Sequence, residues 1–123
     1  MTERLMMQIR KIYKDVKPEL LYDELRDFIQ KRGVVLDEAK LETYSLPGGS
    51  AHIVRGTLTF NVPGSPGKGG APSLRAHVVG SAIGETKVIL DIDDTLFPQE
   101  KIGAVQEDLD FIFGSYEVKP VQP

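Results

Sequence analysis

Val88-Ile89-Leu90-Asp91-Ile92-Asp93-Asp94-Thr95-Leu96-Phe97 is the stretch whose setting decides the fold. Val88, Leu90 and Ile92 alternate with Ile89, Asp91 and Asp93, the two-residue period of a strand with one apolar side. Asp94 and Thr95, followed by Pro98, suit the start of a helix. Most of the chain precedes Asp91, and only Ile92 to Pro123 follow it. That remainder holds one helix and a tail. It cannot hold a series of parallel strands, each of which needs a crossover of about a dozen residues or more. The strand therefore reads as a late member of an antiparallel sheet, with Asp91 and Asp93 on its solvent side.

Working back towards the N-terminus, Gly84-Glu85 marks a turn. Before it, Leu74, Ala76, Val78, Gly80 and Ala82 alternate with Arg75, His77 and Val79. Residues 63–73 are too rich in Gly and Pro to sustain a ladder, so they read as a mobile connection. His52, Val54, Gly56, Leu58, Phe60 and Val62 form the expected core face of another strand, with Ile53, Arg55, Thr57 and Thr59 mostly towards solvent. Pro47-Gly48-Gly49-Ser50 reads as a hairpin turn, and residues 34–46 as its first strand. Pro18 and Glu19 open a helix over about 18–32, whose face is Leu21, Tyr22, Leu25, Phe28 and Ile29 and whose stop is Gly33. Residues 5–16 fit a helix face and a strand equally well. On the C-terminal side, Ile102, Val105, Leu109, Ile112, Phe113 and Tyr116 form one stripe of a helix over about 98–116. The fold class that results is α+β: a curved antiparallel sheet of about five strands packed against a long C-terminal helix, with one N-terminal helix.

Composition narrows the function classes. A chain of 123 residues is the length of one domain, here 1–123, and can build a core without staples. Hydrophobic residues make up 41% and charged residues 27%, the balance of a globular protein. The net charge of −3 offers no general field for nucleic acid. Cysteine is absent, which removes disulfides, thiolate nucleophiles and Cys-based metal sites and fits a cytoplasmic location. No apolar run reaches the ~20 residues of a membrane span. The first residues, Met1 to Gln8, lack the apolar core of a signal peptide. Arg10, Lys11, Lys14 and Lys17 form a small basic cluster, read as a solvated face because acidic residues surround it.

Several motifs bear on chemistry. Asp91-Ile92-Asp93-Asp94-Thr95 after an apolar strand resembles the first motif of the haloacid-dehalogenase-type phosphotransferases. That resemblance implies Asp91 as nucleophile, Asp93 as proton shuttle, and both as Mg²⁺ ligands. The position of the motif in the chain argues against it, and the bland reading is a strand end before a helix. A calcium loop starting at Asp91 would need Gly where Leu96 stands and Glu where Ile102 stands. Gly67-Lys68 lacks the leading Gly and the following helix of a phosphate loop. His52 and His77 have no third ligand at recognisable spacing, so no metal and no cofactor is expected. His52, on the expected core face, is a candidate for the polar lining of a pocket.

Val16-Lys17-Pro18-Glu19-Leu20-Leu21-Tyr22-Asp23-Glu24-Leu25 is similar to the strand-to-helix junction of the START-like superfamily, which includes polyketide-cyclase-like proteins. Element order over most of the chain resembles the helix-grip fold of that superfamily. The resemblance implies that residues 6–16 form a first strand. It also implies an apolar cavity between sheet and C-terminal helix that holds a small hydrophobic molecule. The chain is shorter than most members, so the cavity is expected to be small or absent. Val54, Leu58 and Phe60 from the sheet, Leu109 and Phe113 from the helix, and His52 are then the candidate ligand-binding residues, with none catalytic. A non-enzymatic carrier or binding module is the leading expectation. The alternatives are a small structural or protein-interaction domain, with a filled core and exposed apolar residues, and a Mg²⁺-dependent phosphohydrolase using Asp91 and Asp93. Oligomeric state is not legible.

Overall fold

A computed structural model describes residues 6–45, 47–48, 52–63, 73–81, 84–93 and 96–118. Among these residues five strands and two helices run in the order β1 (Met6–Lys14), α1 (Pro18–Gln30), β2 (Val35–Ser45), β3 (His52–Asn61), β4 (Leu74–Gly80), β5 (Glu85–Asp93) and α2 (Gln99–Phe113), followed by a 3-10 turn, Gly114–Tyr116. The strands form one antiparallel sheet in the order β1-β5-β4-β3-β2. The chain is α+β, as its patterning predicts. Of the segment 63–73 expected to be mobile, residues 64–72 lie outside the described residues, as do Asp94 and Thr95.

Residues 5–16 are open to two readings, and the sheet decides between them. Along β1, Ile9 and Tyr13 are buried while Gln8, Arg10 and Lys14 are exposed, and the strand pairs with β5 from Met6↔Asp93 to Lys14↔Glu85. The chain leaves β1 through Asp15, whose φ of 62° is left-handed. Asp tolerates that region better than most side chains. The Thr86 hydroxyl donates to the Val16 carbonyl at 2.9 Å in a buried bond, fixing the junction before Pro18 starts α1.

Both helices lie on one face of the sheet. α1 buries Leu21, Tyr22, Leu25, Phe28 and Ile29 and packs against β3 and β4. Its closest approach is at Gly56, where a Cβ would overlap the Tyr22 ring. α2 buries Ile102, Val105, Leu109 and Phe113. Its last turn stacks Phe113 on Tyr13 of β1, with ring centroids 5.8 Å apart and planes at 59°. Arg32, just beyond α1, donates to Asp108 of α2 and ties the helices together. The expected stripe is corrected at its end: Ile112 and Tyr116 are exposed. Leu109 and Phe113 already occupy the inward positions four residues apart, which leaves Phe111 and Ile112 on the other sides of the helix.

The two sheet edges differ. The free side of β1 is met by the C-terminal segment, where Tyr13 bridges Glu117 and the Val118 N–H donates to the Ile12 carbonyl at 2.7 Å. Lys11 lies 3.4 Å from Glu117 and 3.6 Å from Asp110, so this basic residue is paired. On the free side of β2 no described residue pairs.

Tyr13 is fully buried and its hydroxyl has no hydrogen-bond partner among the described residues. Burial, with Glu117 and Asp110 adding to it, holds the phenol far above its ordinary range, so it stays neutral. An unpaired buried hydroxyl stabilises nothing, so Tyr13→Phe is expected to be neutral or to stabilise by up to about 1 kcal/mol in urea unfolding. A loss above that would show that the hydroxyl is bonded.

Candidate functional site

The structure brings most of the sequence-derived site residues together, but as core. Leu58, Phe60 and Leu109 are fully buried, and Val54 and Phe113 nearly so. All but Val54 belong to one continuous apolar cluster that also takes in Ile9, Tyr13, Leu25 and Val105. Side chains fill the space at these positions. His52 shares the strand face of Val54 but sits at the first position of β3, where it is exposed. Its Nδ1 lies 3.3 Å from the Ser45 hydroxyl, its partner across the β2–β3 pair. It does not join the other candidates.

A recess of about 400 Å³ lies instead where the end of α2 meets the β1–α1 junction. Val16, Leu20, Ile112, Phe113 and Tyr116 give it apolar walls, and Asp15 and Lys17 place charges on it. The local sequence explains the opening. Left-handed Asp15 turns the chain away from the sheet, and Pro18 starts α1 a few residues later. On the opposite wall α2 tightens into the 3-10 turn after Phe113. Leu20, Ile112 and Tyr116 stay 40–49% exposed because neither helix reaches across the gap. Phe113 is the only sequence-derived candidate on its wall. The missed residues left one signal: Phe111-Ile112-Phe113 is an apolar triplet at the end of a helix, and only one of three consecutive residues can face the core.

Asp91 and Asp93 part company. Asp91 lies on the outer face, half-buried, where Gln8 Nε2 donates to it at 2.8 Å; Arg10 in turn donates to Gln8. His77 Nε2 is 3.8 Å away on β4, and Arg75 is the register partner of Asp91. Asp93, expected on the solvent side, is 2% exposed. The strand ends there in a tight turn: the Asp93 carbonyl accepts the Leu96 and Phe97 N–H groups, and its own N–H donates to the Ser73 carbonyl. β5 runs antiparallel to both neighbours, β1 and β4, so these carboxylates do not sit at the end of a parallel strand. Among the described residues no three His, Asp or Glu side chains converge as a metal-binding group. No helix among them is long and apolar enough to cross a membrane.

His77 makes the outer face sensitive to pH. Burial holds its pKa below the ordinary imidazole value, Arg75 and Arg55 act the same way, and Asp91 opposes them. In the window between the ordinary value of about 6.5 and the lower folded value, the unfolded chain binds more protons than the native one. This contribution to stability is therefore complete above about pH 6.5 and is lost as pH falls below it. Asp91→Asn removes the opposing charge, so His77 is expected to titrate still lower in an NMR titration. The same substitution is expected to change stability by no more than about 0.5 kcal/mol, because Asp91 bonds through an exposed pair. An unchanged His77 titration would mean that the two groups do not interact in solution.

No protein-family model, curated protein or solved structure matches the chain.

Proposed function

We propose that this protein is a small hydrophobic-ligand binding or carrier module whose ligand sits in the recess between the β1–α1 junction and the end of α2. The observation that carries the reading is the recess itself. Its volume of about 400 Å³ is within the range of small-molecule sites, and its walls are mainly apolar with two charges. The sheet with its gripping C-terminal helix is read as helix-grip-like, with binding moved from beneath the helix to its end because the core is filled. The bound molecule would lay a ring or short chain on Leu20, Ile112 and Phe113 and turn a polar end towards Lys17 or Asp15.

Calorimetric titration with 2-naphthol tests this. Ile112 is 40% exposed, so Ile112→Asp leaves the core intact while placing a charge on the apolar wall. Binding is expected in the native chain and to weaken at least tenfold in the variant. Equal binding by both proteins, or none by either, would refute the recess as a site.

A second reading, a protein-interaction domain, is favoured by Phe111, which is 91% exposed one position from Ile112. An isolated exposed aromatic costs little, but Leu20, Ile112 and Tyr116 are also exposed at this end of the molecule.

A further inference from the structure

We infer that two copies of this chain pair through their β2 edges, joining two five-stranded sheets into one. β2 runs for eleven residues, Val35–Ser45, and contains no proline. Edge strands of that length are usually blunted, because their free N–H and C=O groups template pairing with another chain. Here β1, the other edge, is met by Glu117 and Val118, whereas β2 is bare among the described residues. Its single irregularity, a bulge between Leu36 and Glu38, sits at one end and leaves 38–45 regular.

The side chains select one arrangement. Residues directly opposite in an antiparallel pair lie on the same sheet face, so a twofold axis relating two β2 strands must pass through a residue. An axis at Lys40 sets Lys against Lys and Glu38 against Glu42. An axis at Glu42 sets Glu against Glu. An axis at Ala39 also sets Lys40 opposite Glu38, twice, but runs the pairing into the bulge and places Leu41 opposite Asp37. An axis at Thr43 brings no opposite charges together among residues 41–45. An axis at Leu41 sets Lys40 opposite Glu42 of the other copy, twice, and Ala39 opposite Thr43. It also places Leu41 against its own image. Lys40 has no ion-pair partner among the described residues, and Glu42 accepts only from Tyr44 at 2.9 Å. Leu41 is 46% exposed although it lies on the helix side of the sheet, opposite Gly56. A second copy would cover it. The occupant fitted by this charge pattern is therefore the chain itself.

Sedimentation measurements over a concentration series test the pairing, with a dimer of the 13.6 kDa chain expected. Lys40→Glu turns both cross-copy ion pairs into repulsions and is expected to raise the dissociation constant about tenfold. Adding Glu42→Lys to that variant restores opposite charges and is expected to recover most of the loss. Position 41 can be probed directly because the chain has no cysteine. Two Cα atoms directly opposite in an antiparallel pair are about 4.5–5.5 Å apart, within disulfide reach. Leu41→Cys is expected to cross-link under mild oxidation much faster than Lys87→Cys on the outer face. A monomer throughout the series overturns the inference. So does a dimer unaffected by Lys40→Glu, or equal cross-linking at positions 41 and 87.

Discussion

Leu109→Ala is expected to lower the unfolding free energy by ~2–5 kcal/mol. Leu109 is fully buried between Val105 and Phe113, one helical turn on either side, and it belongs to the cluster that includes Leu58, Phe60 and Leu90. Truncation removes its contacts with both the sheet and the helix neighbours. The cavity left behind cannot be filled by moving the helix, because Arg32–Asp108 and the Tyr13–Phe113 stack hold α2 on both sides of position 109. Urea unfolding at a constant slope measures it. A loss under about 0.5 kcal/mol would mean that α2 is not core.

Gly56→Ala is expected to cost ~1–3 kcal/mol by overpacking, although Ala has the better strand propensity. The added methyl would overlap the ring of Tyr22, which is only 5% exposed and held between α1 and β3. To relieve the overlap, either the ring leaves its site or α1 lifts from the sheet. The explanation predicts non-additivity. Tyr22→Ala removes the obstacle, so the double variant should cost less than the sum of the singles, by about 0.5–3 kcal/mol. Additive losses would place the cost of Gly56→Ala elsewhere than the ring.

These two positions also show what the sequence can and cannot say. Leu109 was legible because helix spacing makes one stripe apolar, and Val54, Leu58 and Phe60 were legible because strand alternation does the same. Gly56 was legible as a core-face position but not as a docking point for α1, since a glycine carries no sign of what lies above it. Residues 5–16 were undecidable by periodicity. Pairing with β5, a contact distant in sequence, made Met6–Lys14 of that segment a strand. Alternation placed Asp93 with the solvent-facing set, but it reports parity within a strand and not the fold-back at its end. For Ile112 and Tyr116 the apolar character was visible, yet a stripe drawn at helical spacing could not show that α2 ends in a 3-10 turn and leaves them beside a gap. Leu58, Phe60, Leu109 and Phe113 meet, as both a core and a cavity lining would, and all four are buried in one apolar cluster.

The most direct test of the account is where a small apolar molecule contacts the chain. Intermolecular NOEs between 2-naphthol and methyl-labelled protein locate it at residue level. The account predicts NOEs to the methyls of Leu20 and Ile112, with none to Leu58 or Leu109. NOEs to Leu58 and Leu109, or a probe that contacts no methyl while remaining in excess, would contradict it.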